Sequence, residues 1–278
     1  MRIIDAHQHC WQLGKHGCQW PSSDLTAIYR DYSPVDFLAE VDGLGVAGSV
    51  LVQSQPDIRD THYLLQLAAD YPHIRGVVGW VDLSAPQATE QIAELASNPR
   101  LCGLRPMLQG LAMDDWIITR ARTDALGAMA EHNLVFDALV DSRHLPFIGQ
   151  LAASFPALSI VLDHAAKPAI ATLEGESWRQ GIDALAAYPN VYCKLSGLPT
   201  EMAAQQSWEA MQPYMRQVLE LFGAERLLWG SDWPVINLAG DYSRWLCYCW
   251  QWVEQQGPAY SQAIFAETAQ KLYRLDEN

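Results

Sequence analysis

Short apolar runs rich in branched residues recur along the chain, and stretches with helical periodicity separate them. Two of these runs, residues 49–52 and 160–162, are apolar almost without interruption, which is typical of strands covered on both faces. The pattern predicts eight strands, near residues 2–7, 47–53, 75–81, 101–105, 134–139, 158–163, 190–195 and 226–231.

Helical periodicity follows most of the predicted strands. It predicts helices over residues 34–44, 60–71, 86–96, 123–133, 145–155, 177–188 and 207–222. Two further helices, over 242–255 and 260–275, follow the eighth strand. Alternating strands and helices favour parallel pairing with the helices outside. The expected fold is therefore α/β, a (β/α)8 TIM barrel with two closing C-terminal helices, in which residues 1–278 form a single domain.

Composition agrees with one large core, because half of the 278 residues are apolar and 18% are charged. The net charge of −14 disfavours nucleic acids and anionic membranes as partners, since both need clustered Lys and Arg. No apolar run approaches the roughly 20 residues that span a bilayer, and the chain starts without the apolar stretch of a signal peptide. We therefore expect a cytoplasmic protein with reduced cysteines; the sequence leaves a homo-oligomer open.

Polar side chains stand at the predicted C-terminal end of nearly every strand, where TIM barrels carry their active sites. Ionisable side chains are rarely buried without partners, so core packing alone does not account for them. The candidates, in chain order, are His7, His9, Gln53, Trp80, Asp82, Arg105, Asp137, Asp141, Asp163, His164, Lys167, Lys194, Ser196 and Asp232.

Three of these positions combine into one candidate site. His7 and His9 are two residues apart, so on a strand they point to the same side. Asp232 directly follows the last strand, and strands one and eight are neighbours in a closed barrel. The alternative is that the two histidines are hydrogen-bonded caps of the mouth and that Asp232 caps the turn before Pro234. His164 is adjacent to Asp163, and on a strand at most one of the two faces the pocket.

Two cations have open roles. Arg105 ends a buried strand, where its guanidinium could hold a carboxylate or carbonyl; the alternative is a surface arginine. Lys194 is in the middle of a strand, so it either faces the mouth or forms an ion pair inside the barrel. The long segment 10–32 is expected to cover the mouth. The other histidines are expected at the surface: His16, His62, His73, His132 and His144.

Several motifs together resemble the amidohydrolase superfamily. They are the His-x-His of strand one, Leu-Asp-His-Ala-Ala-Lys-Pro at 162–168, Lys-Leu-Ser-Gly-Leu at 194–198 and Trp-Gly-Ser-Asp-Trp-Pro at 229–234. Within that superfamily they look like the lactonase branch, which acts on fucono- and rhamnonolactone and on a pyrone dicarboxylate. The resemblance runs from His7 to residues 265–273, which is essentially the whole chain.

The resemblance implies a hydrolase that opens a lactone without a covalent intermediate. Asp232 would activate water, while His7, His9 and His164 would polarise the carbonyl. Arg105 and Lys194 would orient the substrate. Polar groups and tryptophans at the mouth suit a neutral sugar-acid lactone better than a dicarboxylate, for which only Arg105 is well placed. The residues expected to bind the sugar ring are Gln53, Trp80 and Trp233, with Trp11, Trp20, Asp82, Asp141 and Ser196 near them.

The sequence leaves open whether the protein needs a metal ion and which class of enzyme or binding protein it is. The resemblance implies no required metal, and the fifth strand lacks the histidine that metal-dependent members usually offer. A single divalent ion such as zinc, held by His7, His9 and Asp232, remains an alternative. The competing functions are a metal-dependent amidohydrolase or aromatic-acid decarboxylase of the same superfamily, and a non-catalytic sugar-binding barrel.

Overall fold

Eight parallel strands form a barrel in the computed structural model, which describes residues 2–173 and 175–275. The outermost parts of the predicted 1–278 domain, residue 1 and residues 276–278, lie outside the described residues, as does residue 174. The strands follow one another in chain order around the barrel. They are β1 Ile3–Gln8, β2 Val46–Val52, β3 Ile74–Gly79, β4 Leu101–Leu104, β5 Val135–Ala138, β6 Ile160–Leu162, β7 Val191–Leu195 and β8 Leu227–Trp229. The predicted TIM barrel is confirmed.

The seam between the first and last strands closes just above β8. Gln8 forms a parallel bridge with Trp233. The amide of Asp232 donates to the carbonyl of His7 at 2.8 Å, and the amide of His9 donates to the carbonyl of Trp233 at 2.8 Å. The residues that follow β8 thus continue its pairing and fix the position of Asp232 beside the two histidines.

The helices surround the strands, and most begin or end within a few residues of the predicted bounds. They are α1 Pro34–Glu40, α2 Ile58–Asp70, α3 Ala88–Ala96, α4 Trp116–Thr119, α5 Thr123–Glu131, α6 Leu145–Ser154, α7 Glu176–Ala186, α8 Gln212–Phe222, α9 Tyr242–Gln256, α10 Pro258–Gln262 and α11 Thr268–Tyr273. The short α4 was not predicted.

Three predicted helices differ from the structure. The one predicted over 207–222 begins at Gln212, because Trp208–Met211 form a 3-10 helix. The helix predicted over 34–44 ends at Glu40, because Gly43 and Gly45 adopt positive φ of 75° and 76° in the turn that enters β2. The closing helix predicted over 260–275 is divided: a π-helical segment, Ala263–Glu267, separates α10 from α11.

The apolar core has two parts. The larger one lies between the strands and the surrounding helices, and the smaller one fills the barrel interior. Val50, Val78 and Leu228 belong to the interior part, and Leu272 and Tyr273 of α11 pack against it from the N-terminal end. The filled interior means that the barrel has no central channel, and TIM barrels carry their active sites at the C-terminal mouth. None of the described helices is both long and apolar enough to cross a membrane.

Candidate active site

A pocket of about 290 Å³ opens at the C-terminal mouth of the barrel. Clefts of about 480 and 630 Å³ lie elsewhere, but no histidine lines either of them. The mouth pocket combines titratable, polar and apolar side chains, as small-molecule sites commonly do. Its lining residues are His9, Trp20, Ser54, Arg105, Met107, Gln109, Leu139, His164, Lys167, Thr200, Asp232 and Val235.

His7, His9 and Asp232 converge at the seam, as their sequence positions predict. Nε2 of His9 lies 3.2 Å from Nε2 of His7 and 3.3 Å from Oδ1 of Asp232. Nε2 of His7 is 3.7 Å from the same carboxylate oxygen. His7 has no exposed surface, whereas His9 and Asp232 reach the pocket with 3% and 4% of theirs.

Asp5, which the motif analysis did not single out, holds this seam together from below. Its Oδ1 accepts the amides of His7 at 3.0 Å and Ser231 at 2.9 Å, and its Oδ2 accepts the hydroxyl of Tyr242 at 3.1 Å. Burial raises the pKa of Asp5 to about 6, although these hydrogen bonds oppose the rise. Gly230 completes the seam, since a Cβ there would lie 2.7 Å from the Cβ of His7.

His164 reaches the pocket from an unusual turn after β6. Four consecutive residues, 164–167, have positive φ of 54°, 50°, 56° and 50°, and none is glycine. The strand ends at Leu162, so Asp163 and His164 no longer alternate between opposite faces, and both side chains are buried within the barrel. His164 lines the pocket and Asp163 lies below it.

Two neighbours hold the ring of His164. Its Nδ1 is 2.9 Å from the hydroxyl of Ser196, and its Nε2 is 4.0 Å from Oδ1 of Asp232. Gly197 adopts a positive φ of 63°, and a Cβ at this position would come within 2.6 Å of Cγ of His164. The Lys-Leu-Ser-Gly-Leu motif therefore supplies both a hydrogen-bond partner and the space for the ring.

Lys194 lies beneath the pocket and not in its lining, which corrects the expectation that it contacts substrate. It has no exposed surface and pairs with Asp137, while its Nζ is 2.9 Å from Oδ1 of Asp163. Nζ also lies 3.3 Å from Nδ1 of His7. Of the two alternatives that the sequence left open, the structure has the ion pair inside the barrel.

Of the other residues expected to bind substrate, Arg105 lines the pocket, and Gln53, Trp80 and Trp233 do not. Arg105 lines the pocket, with Nη1 3.4 Å from Oδ2 of Asp163 and Nη2 donating to the carbonyl of Gln53. Gln53 is fully buried and donates to the carbonyl of Arg105 at 2.7 Å, so its amide supports Arg105 from behind. Trp80 and Trp233 are outside the lining; Trp233 is 1% exposed and packs edge-on against Tyr32.

The long segment after β1 contributes Trp20 to the pocket wall, in agreement with its expected position over the mouth. Gln55 fixes this tryptophan: its Oε1 accepts the Trp20 amide at 3.2 Å, and its Nε2 donates to the Trp20 carbonyl at 2.7 Å. Sequence reasoning missed Gln55 and the lining residues Ser54, Met107, Gln109, Leu139, Thr200 and Val235. It was also wrong about His144, which is 1% exposed and directly precedes α6, with its Nδ1 3.1 Å from Oδ1 of Asp141.

The electrostatics of the site follow from burial. Burial lowers the pKa of His164 to about 4 and that of His7 well below its ordinary value, so both rings are neutral at neutral pH. Burial alone would raise the pKa of Asp232, but the surrounding His164, His9 and His7 hold it below the ordinary range. The carboxylate of Asp232 therefore stays ionised at neutral pH, which is the form that can accept a proton.

The same donor set fits one divalent cation. His9 Nδ1 is 2.8 Å from the carbonyl of Val52, so a hydrogen bond there leaves the lone pair of Nε2 facing Asp232. The three facing atoms of His7, His9 and Asp232 are 3.2–3.7 Å apart. Ligands around a tetrahedral zinc ion, with bonds of about 2.0–2.1 Å, are roughly 3.4 Å apart. These residues could therefore hold a single metal ion.

A second metal position is poorly supported. His7, Asp163 and His164 also cluster. However, Lys194 and Arg105 already neutralise Asp163, and their positive charges oppose a cation there. The fifth strand offers Leu139 to the pocket, which cannot ligate a metal.

A TIM barrel with paired histidines on β1, a histidine after β6 and an aspartate after β8 defines a barrel hydrolase of the amidohydrolase type. Comparison with known proteins agrees: residues 4–275 match the amidohydrolase family, and the chain belongs to it.

Two relatives carry the name L-fucono-1,5-lactonase. The one from Burkholderia ambifaria is 47% identical over 98% of this chain and 96% of its own. The one from Burkholderia multivorans is 34% identical over 99% and 96%. A crystal structure of a B. multivorans amidohydrolase with bound zinc is 33% identical, has a TM-score of 0.90 and covers 99% of this chain and 100% of its own.

Proposed function

We propose that this protein is a lactonase that hydrolyses sugar-acid lactones, with L-fucono-1,5-lactone as the first substrate to test. The observation that carries the proposal is the convergence of Asp232 with His7, His9 and His164 at one pocket. The two relatives named as L-fucono-1,5-lactonases support the substrate class, since the similarity extends over nearly the full length of both chains.

The chemistry starts from the ionised carboxylate of Asp232. It takes a proton from a water molecule, which attacks the lactone carbonyl, and negative charge develops on the carbonyl oxygen. His164 and Arg105 face the pocket and stabilise that charge with hydrogen bonds.

Collapse of the tetrahedral intermediate breaks the bond to the ring oxygen, which then needs a proton. His9 is 3.3 Å from Asp232, so the proton taken from water is held between these two groups and returned to the departing oxygen. The product is an open-chain hydroxy acid. Trp20 and Leu139 supply apolar surface for the C–H faces of the ring.

A divalent ion held by His7, His9 and Asp232 would polarise a carbonyl and lower the pKa of a bound water. We propose that hydrolysis does not require it. An ester of this kind is activated enough for a general base and hydrogen-bond donors, and the pocket offers no fifth-strand ligand. The lactone, a water molecule and the protein side chains then suffice for the reaction.

The test is acid release, followed with a pH indicator, from a panel of aldono-lactones before and after chelator treatment. We expect hydrolysis to persist after chelation, and Asp232→Asn to lower kcat/KM by about 10³-fold. Asp70→Asn, an exposed substitution at the end of α2, is the matched control and should be neutral. Lactone hydrolysis that returns only with added metal would instead support a metal-dependent hydrolase, and silence across the panel would favour the aromatic-acid decarboxylase.

A further inference from the structure

The turn that carries His164 also brings Lys167 into the pocket. Residues with positive φ other than glycine are costly, on the order of 1 kcal/mol or more each, and four in succession persist only where the surrounding structure holds them. Here Trp178 donates to the carbonyl of Ala165 at 2.7 Å, and the amide of Lys167 donates to the carbonyl of His164 at 2.9 Å. The result is that His164 and Lys167, three residues apart, both line the pocket.

The ammonium group of Lys167 is paired across the mouth with Glu201. Their side chains are 19% and 21% exposed, so both reach the solvent at the rim. The two loops are also joined by the backbone, because the amide of Ala171 donates to the carbonyl of Glu201 at 3.0 Å. Thr200, next to Glu201, lines the pocket beside Lys167.

This pair decides the charge that a substrate meets. Among the lining residues, the permanent cations are Arg105 and Lys167, and each has a carboxylate partner: Asp163 for Arg105 and Glu201 for Lys167. The remaining charge is the carboxylate of Asp232. An anionic substituent on a substrate would therefore meet a negative charge and no unpaired cation.

We propose that the Lys167–Glu201 ion pair is a specificity determinant that makes the pocket select neutral lactones over acidic ones. Glu201 neutralises the charge of Lys167 and accepts one of its ammonium N–H groups. The remaining ammonium N–H groups are available to substrate hydroxyls. The inference rests on the proposed lactonase function and adds the residue pair that sets its substrate class.

The test compares a neutral aldono-lactone with an aldaro-lactone, in which a carboxylate replaces the exocyclic carbon group. The measured quantity is the ratio of kcat/KM for the acidic lactone to that for the neutral one. In Glu201→Gln, Lys167 loses its partner, and this ratio should rise about tenfold. In Lys167→Gln, the carboxylate of Glu201 is left facing the mouth, and the ratio should fall severalfold.

The opposite signs separate specificity from structure. If the pair only ties two loops together, both variants lower activity on both lactones and the ratio stays constant or moves in the same direction, which would overturn the proposal. Raised salt should reduce the gain of Glu201→Gln for the acidic lactone, because screening weakens a charge attraction at the rim. Glu225→Gln, an exposed change of the same charge before β8, should leave the ratio unchanged.

Two further measurements keep the result interpretable. The double variant Lys167→Gln/Glu201→Gln removes both charges and should return the ratio close to that of the unmodified protein. Calorimetric binding of the open-chain mono- and diacids gives a second ratio that does not need turnover. If no lactone is hydrolysed but the binding ratio moves in opposite directions in the single variants, the lactonase proposal fails and the role of the pair stands.

Discussion

Lys194 and Lys167 each pair with carboxylates near the same mouth, but at different depths. Lys194 lies in β7 with no exposed surface, between Asp137 and Asp163, which are equally buried. Lys167 follows β6 and meets Glu201 where both side chains are about one-fifth exposed. The lower cluster touches His7 of the candidate active site, and the upper pair lines the pocket itself.

Because the two clusters differ in depth, they differ in how much the fold depends on their charges. In the buried cluster the attraction between charges must offset a large loss of hydration, so each member depends on the others. The charges of Asp137 and Asp163 overcome burial and raise the pKa of Lys194, and Lys194 in turn lowers the pKa of Asp163. At the rim, water still solvates both partners, so the pair can change without loss of the fold.

Replacement of each lysine by methionine should give the largest difference in stability between the two clusters. Lys194→Met leaves the buried carboxylate of Asp137 without a cation and that of Asp163 with Arg105 alone, and it should lower the free energy of unfolding by about 3–5 kcal/mol. Lys167→Met removes a partly exposed partner and should cost about 1 kcal/mol or less. Urea unfolding of both variants at neutral pH measures these two losses.

Lys271→Met, an exposed change on α11, is the control for loss of a positive charge and should be close to neutral. Equal losses at Lys194 and Lys167 would show that depth does not separate the two clusters.

Gly197, which follows β7 and lies against the ring of His164, should give the next largest effect, a loss of kcat/KM. In Gly197→Ala, the new Cβ would press on the ring of His164, which has no free space on that side. We expect kcat/KM to fall about 100-fold, because a displacement on the order of 1 Å is that costly at a reacting group. Enzyme kinetics on the neutral lactone measure the effect.

Gly43→Ala separates this clash from backbone strain. Gly43 has a similar positive φ of 75°, but no atom lies within 4 Å of the position of its Cβ. It lies in the turn before β2, so it should lose some stability and retain kcat/KM. A comparable loss of kcat/KM in both variants would argue against contact with His164 as the cause.

The sequence predicts the barrel and the seam well because both follow from simple periodicities. Alternation places His7 and His9 on one side, and chain order in a closed barrel brings Asp232 next to them. The depth of Lys194 does not follow in this way. Its position in a strand fits both a mouth and an interior, and only the alignment of β5, β6 and β7 brings Asp137 and Asp163 to its level.

The turn at 164–167 is also beyond pattern reasoning. Ala165 and Ala166 carry no signal for positive φ. Strand alternation predicts that at most one of Asp163 and His164 faces the pocket, and only His164 of the two lines it, but the turn and not the alternation places it there. The turn exists because packing around it fixes its conformation, which is a property of the tertiary structure. Ala165 and Ala166 belong to the Leu-Asp-His-Ala-Ala-Lys-Pro motif, but the motif does not predict its backbone geometry.

Asp60 is a buried carboxylate for which the structure shows no lysine partner among the described residues. Asp60 in α2 is 2% exposed, and its Oδ2 accepts the amides of Ser54 at 2.9 Å and Gln55 at 3.2 Å. Burial outweighs these hydrogen bonds and raises its pKa from 3.8 to about 6, the reverse of the shift at Asp163.

A raised pKa means that the folded protein holds a proton that the unfolded chain has lost between about pH 4 and 6, so the contribution of Asp60 to stability falls as the pH rises through that window. Asp60→Asn keeps an oxygen for both amides and cannot ionise. Urea unfolding at pH 4.5, 5.5 and 6.5 should therefore show the unmodified protein losing about 1–2 kcal/mol relative to the variant as the pH rises. The other titrating groups are common to both proteins and cancel in the difference. Parallel stability curves would mean that the two amides compensate fully for the burial of the Asp60 carboxylate.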